Sequence, residues 1–191
     1  MATGPTTVVA TNVNVMYGCL EGNKTTDADA VRAYVQSLLK SKHRTFVKIP
    51  KELWPPEWFK KGYKNPVCLL VRALYGHPEA GAHWERHLVA IIVDKMGGAA
   101  VDSHPSTYWF EESKLMLTIY VDDLMLSGPE GAHAPFWEEL AKDVHIEEPE
   151  PLDRFLGRHH VISECEAPSE NVIESFYPTV LTGADEPEGE G

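Results

Sequence analysis

Apolar residues in this chain switch between helical and alternating spacing, and the switches mark its elements. Thr6-Thr7 ahead of Val8, Val9, Val13, Met16, Cys19 and Leu20 predicts an N-capped helix ending near Gly22, its apolar residues packed on the body of the protein. A short strand over 25–29 leads into a helix through about Leu39, with Ala33, Val35, Leu38 and Leu39 as its apolar stripe. Residues 45–49 alternate as a strand and 67–71 read as another, with Pro55-Pro56 between them setting a turn or helix start. From 78 to about 96 the spacing is helical again, and Gly97-Gly98 stops it. Strands follow at 107–110 and on both sides of Tyr120-Val121-Asp122-Asp123, then a helix over 134–143 and a last strand within 155–163. Adjacent-strand hairpins interleaved with helices, without repeated crossovers, predict an α+β fold in which an antiparallel sheet carries its helices on one face.

The apolar runs 115–119 and 124–126 make a hairpin that holds Asp122 and Asp123 at its tip. Two adjacent carboxylates repel and raise each other's pKa, so a metal cation is the usual reason for keeping both ionised on a rigid element; the plain alternative is a surface turn. Other motifs point to less. His83 and His87 stand at i and i+4 on one helix face, but a zinc peptidase needs His-Glu-x-x-His and the glutamate here is misplaced. Cys19, Cys68 and Cys165 are widely separated and odd in number, which suits buried thiols better than a disulfide framework or zinc site.

Composition changes the picture in two places. Hydrophobic residues make up 43% of 191, enough for one domain with a sizeable core. No run approaches a membrane span and the first residues lack a signal-peptide pattern, so an intracellular location, cytoplasmic or nuclear, with no membrane partner is expected. The net charge of −12 disfavours nucleic-acid binding by the chain as a whole, yet residues 40–72 carry nine Lys or Arg against Glu52 and Glu57. Interleaved with Trp54, Trp58 and Phe59, this basic segment fits phosphate or template contact; its bland reading is a solvated helix face with core aromatics. Residues 143–191 carry thirteen acids, and the Glu/Pro/Gly-rich end of the chain is expected to be disordered.

Several segments carry a family resemblance. Tyr120-Val121-Asp122-Asp123 resembles the catalytic hairpin of reverse transcriptases in the form used by copia-type retrotransposons. Leu74-Tyr75-Gly76 followed by Trp84 resembles the same family's Ala-Leu-Tyr-Gly…Ala-Pro-x-x-Trp segment, with Gly81 replacing the usual proline. Asp29-Ala30-Val31-Arg32-Ala33-Tyr34 is similar to its Asp-x-x-x-Ala-Phe/Tyr motif, and Phe155-Leu156-Gly157 to the Phe-Leu-Gly that closes its palm. Four matches in order span roughly residues 26–160.

The resemblance implies a reverse-transcriptase palm over 26–163, preceded at 1–25 by a lead-in helix or fingers remnant and followed at 164–191 by the acidic tail. It implies an RNA-directed DNA polymerase that transfers dNTPs onto a primer on an RNA or DNA template. It implies two Mg2+ ions, or Mn2+, held by Asp29, Asp122 and Asp123, with the Ala30 carbonyl as a further ligand. Asp27 is a rival for Asp29, but its spacing to Ala33-Tyr34 is two residues too long. Tyr34 takes the place of the aromatic residue under the incoming sugar, and Tyr75-Gly76 that of the site beside the nascent base pair. Integrase and RNase H regions of a polyprotein are the implied partners. A fragment of this size is expected to be inactive alone, and the alternative function is a noncatalytic or domesticated palm remnant serving as a binding module.

Overall fold

The computed structural model describes residues 6–161. The expected tail at 164–191, and Cys165 with it, lies outside them. Among the described residues no helix is long and apolar enough to cross a membrane.

A six-stranded, wholly antiparallel sheet organises the body. In chain order the structure runs α1 (Val8–Gly18), β1 (Asn23–Asp29), α2 (Ala33–Gln36), β2 (Phe46–Lys48), a 3-10 turn (Lys51–Leu53), α3 (Pro56–Lys60), β3 (Val67–Leu69) and α4 (Ala80–Val89). It continues with a π-helical turn (Ala90–Lys95), β4 (Ala99–Ala100), β5 (Thr107–Phe110), β6 (Leu115–Tyr120), β7 (Asp123–Pro129) and α5 (Glu130–Leu140), then β8 (Glu150–Pro151), β9 (Arg154–Phe155) and β10 (Arg158–His159). The sheet order is β4-β5-β6-β7-β1-β8, while β2/β3 and β9/β10 form separate two-stranded ribbons. The α+β expectation therefore holds.

Strand alternation divides the sheet into two faces. Leu115, Leu117, Leu124 and Leu126, none with any exposed surface, point to one face and join Trp84, Leu88, Ile92, Phe136 and Leu140 of α4, its π-helical extension and α5 in the main core. Burial of each such side chain contributes about 1.5–3 kcal/mol.

Helices do not keep to that face. Helix α1 lies across the other one, where Asn14 Nδ2 donates to Met116 O, Thr118 Oγ1 and Met125 O. Its apolar residues also point the wrong way for the expected packing: Ala10, Thr11, Asn14 and Gly18 are buried, whereas Val9 is 62% and Met16 70% exposed. The reason is proximity. A Cβ on Gly18 would sit 1.8 Å from Thr25 Oγ1, so only a small, polar-compatible helix face fits against Thr25, Thr118 and Ser127.

Three further expectations change. The helix after β1 is a single turn, because Ser37–Leu39 pair instead with Val71–Ala73 through Leu39 N to Val71 O and Ala73 N to Ser37 O. Helix α5 starts at Glu130 despite Pro135, anchored by buried His133, whose Nδ1 lies 2.8 Å from Thr26 Oγ1 and whose Nε2 lies 3.1 Å from Gly128 O. The last strand reduces to the β9/β10 ribbon, which seats Phe155 against Met125 and Leu152. Cys19 is exposed and Cys68 half-buried, so neither is the buried thiol expected.

Candidate functional site

The hairpin joining β6 and β7 turns through Val121 and Asp122, since Tyr120 pairs with Asp123. Asp123 is thus the first residue of β7 rather than part of the tip. Val121 has φ +59°, a left-handed conformation that costs a β-branched residue roughly 1–3 kcal/mol. Two contacts hold the turn in place. The buried Trp84 of α4 donates from Nε1 to Val121 O at 2.6 Å, and Ala30 N donates to Asp122 O at 2.8 Å. Sequence reasoning placed Trp84 in a motif without this role; an indole inside an otherwise apolar core was the signal, because its N–H needs an acceptor.

Strand β1 brings the distant aspartate to this turn. Its register with β7 sets Asp29 opposite Asp123 and Asp27 opposite Met125, so Asp27, Asp29 and Asp123 share one face. The Asp29 carboxyl lies close enough to Asp123 to favour a protonated Asp123 that can hydrogen-bond to it. Burial, that hydrogen bond and the charges of Asp29, Asp122 and Asp27 push Asp123 up to about 7. Asp27 is pushed up to about 6, by burial first and then by Asp29, and its Oδ1 is buried without a partner. Its spacing had argued against Asp27, yet strand alternation makes i and i+2 neighbours on one face.

The chain beyond α5 adds more negative charge. Ile146 bridges Ala30, Glu147 N donates to Asp29 O, and β8 pairs with Thr26 and Asp27. A groove of about 610 Å³ results, lined by Asp27, Asp29, Asp123, Glu147, Glu148, Glu150 and Asp153, with Arg154 as its cation. Such a groove repels phosphate and attracts cations. Its donors are hard carboxylate oxygens, the type that suits magnesium or manganese, and Asp27 Oδ1 offers an unsatisfied one. Among the described residues no three His, Cys, Asp or Glu side chains are already gathered into a metal cage.

The remaining candidates surround the turn. Tyr34 of α2 is half-buried against the core and packs on Tyr75, ring centroids 4.4 Å apart. The Tyr75 hydroxyl is shifted up by burial and by the charge of Asp122, which places it within electrostatic reach of the turn. Gly76 has φ +88° with open space where a Cβ would stand, so the backbone conformation, not crowding, calls for glycine. Ala30 is buried, its N–H committed to Asp122. Tyr34, Trp84 and Val121 also wall a cavity of about 320 Å³ behind the turn. His83 is buried beside Arg86 and Glu79, a structural setting. No family model matches the chain, and no curated protein matches it.

Proposed function

We propose that this chain is the palm of an RNA-directed DNA polymerase of the copia retrotransposon type, which adds deoxynucleotides to a primer on an RNA or DNA template. The observation that carries the reading is the β1/β7 register: it pairs Asp29 with Asp123 beside Asp122, although more than ninety residues separate them in sequence.

Asp29 and Asp122 would bridge a pair of divalent cations, Mg2+ or Mn2+, with Asp123 as the third carboxylate and the Ala30 carbonyl beside it. When bound there, the cations would supply activation of the primer hydroxyl and neutralisation of the triphosphate charge. The chain's own work is positioning and electrostatics. Trp84 and Ala30 fix the turn so that Asp122 holds its place against like-charge repulsion. The Tyr34 ring, packed on Tyr75, would exclude a ribose 2′-hydroxyl from the sugar position, with Tyr75-Gly76 beside the nascent base pair.

Single-nucleotide addition to a primer on an RNA template, with magnesium, tests the assignment. In a longer polymerase that carries this chain and extends the primer, Asp29→Asn, Asp122→Asn and Asp123→Asn should each abolish addition; full activity of Asp29→Asn would remove the catalytic reading. A second reading, a palm remnant that binds without catalysis, gains support from α1, which covers part of the acid-bearing sheet face. Extension by the wild-type chain would exclude it.

A further inference from the structure

The segment between Ser37 and Ala73 is built unlike the rest of the body. Both of those residues are buried, yet no residue from Leu38 to Arg72 is. The β2/β3 ribbon carries it out from the body, paired Phe46 to Leu69 and Lys48 to Val67, and it ends in a knob made by the 3-10 turn and α3. Its aromatic rings pack on one another: Trp54 lies 5.4 Å from Phe59 and 6.1 Å from Trp58, and Trp58 lies 6.3 Å from Tyr63, between ring centroids. Phe59 and Tyr63 remain 50% and 48% exposed. Trp54, Phe59 and Tyr63 line one concave site of about 740 Å³ together with Lys48, Lys51 and Lys64. None of these three lysines has an ion pair with an acidic side chain among the described residues.

We infer that this knob binds single-stranded nucleic acid, the lysines contacting phosphates and Phe59 and Tyr63 stacking on bases. Charge complementarity favours a polyanion: residues 40–72 hold nine Lys or Arg and two acids in a chain of net charge −12. Exposed rings beside those lysines favour unstacked bases over a duplex, whose base faces are hidden. The site is separate from the acidic groove and needs no metal, so it goes beyond the polymerase reading and does not depend on it.

Fluorescence anisotropy of a labelled 12-nucleotide RNA, with a DNA oligomer of the same sequence and a duplex alongside, tests the proposal on the full chain in EDTA. Both single strands should bind more tightly than the duplex, and Asp122→Asn should leave that binding intact. Changing Lys48, Lys51 and Lys64 together to Ala should flatten the slope of log affinity against log salt by about 2, at roughly 0.7 per lost phosphate contact. Tyr63→Leu should weaken binding about tenfold and Tyr63→Phe should restore it, since stacking needs the ring and not the hydroxyl. Lys48, Lys51, Lys64 and Tyr63 are exposed, and because the Tyr63 ring also packs on Trp58, far-UV circular dichroism of Tyr63→Leu checks that the knob keeps its fold. Equal affinity for duplex, or indifference to Tyr63→Leu, would reduce the knob to a nonspecific cationic surface and overturn the proposal. Absence of RNA binding with salt-sensitive self-association abolished by the triple change would overturn it too, naming a second copy's acidic groove as the occupant. Failed primer extension with intact oligomer binding would count against the polymerase reading alone.

Discussion

Replacing Asp123 with Asn should make the protein more stable at pH 8 and leave it unchanged near pH 4. Asp123 is raised from an ordinary 3.8 to about 7, so the folded chain keeps this proton over a range in which the unfolded chain has lost it. The native state then binds more protons, and stability falls as pH rises from about 4 to 7. Three pH units correspond to about 4 kcal/mol at full strength. The carboxyl is only half-buried and its partner Asp29 is exposed, so water screens much of this and about 1–2 kcal/mol is the realistic loss. Asn keeps the shape, donates permanently to Asp29 and removes the charge. For a body of this size its melting temperature at pH 8 should rise by about 3–6 °C. Thermal unfolding followed by circular dichroism from pH 4 to pH 8 reads the difference directly. Magnesium should narrow it, by stabilising the wild type more than the variant through binding to the folded state. Equal melting temperatures at pH 8, or a variant less stable there, would refute the burial and charge repulsion that raise Asp123.

Trp84→Phe leaves the Val121 carbonyl without its donor behind a strained turn, and thermal unfolding should show a loss of about 1–3 kcal/mol. Gly18→Ala should cost about 1–3 kcal/mol by driving α1 from the sheet, and Thr25→Ala should recover most of that in a double-mutant cycle. In an active polymerase, Tyr34→Ala should raise ribonucleotide incorporation relative to deoxynucleotide; unchanged discrimination in a competition assay would make Tyr34 a packing residue only.

Local chemistry made much of this protein legible from its sequence. Alternation and β-branching marked β5, β6 and β7, Thr7 capped α1 through Ala10 N at 3.1 Å, and Gly97-Gly98 ended the long helix. Those signals act between neighbours, so they survive without knowledge of the fold. The spacing of acidic residues named Asp29, Asp122 and Asp123 by resemblance, and nothing local made them meet. Register did that: the seven-residue pairing of β1 with β7 sets Asp29 against Asp123, and a slip of one residue would turn Asp29 to the other face. Apolar periodicity misjudged α1, because its burial depends on how closely a polar sheet face lets a helix approach, and Gly18 against Thr25 answers that only in three dimensions. Residues 37–39 likewise chose strand pairing over helix because residues 71–73 met their hydrogen bonds from a distance in sequence. Propensity belongs to a segment, but the location of charge, the choice of buried face and the pairing of strands belong to the assembled chain.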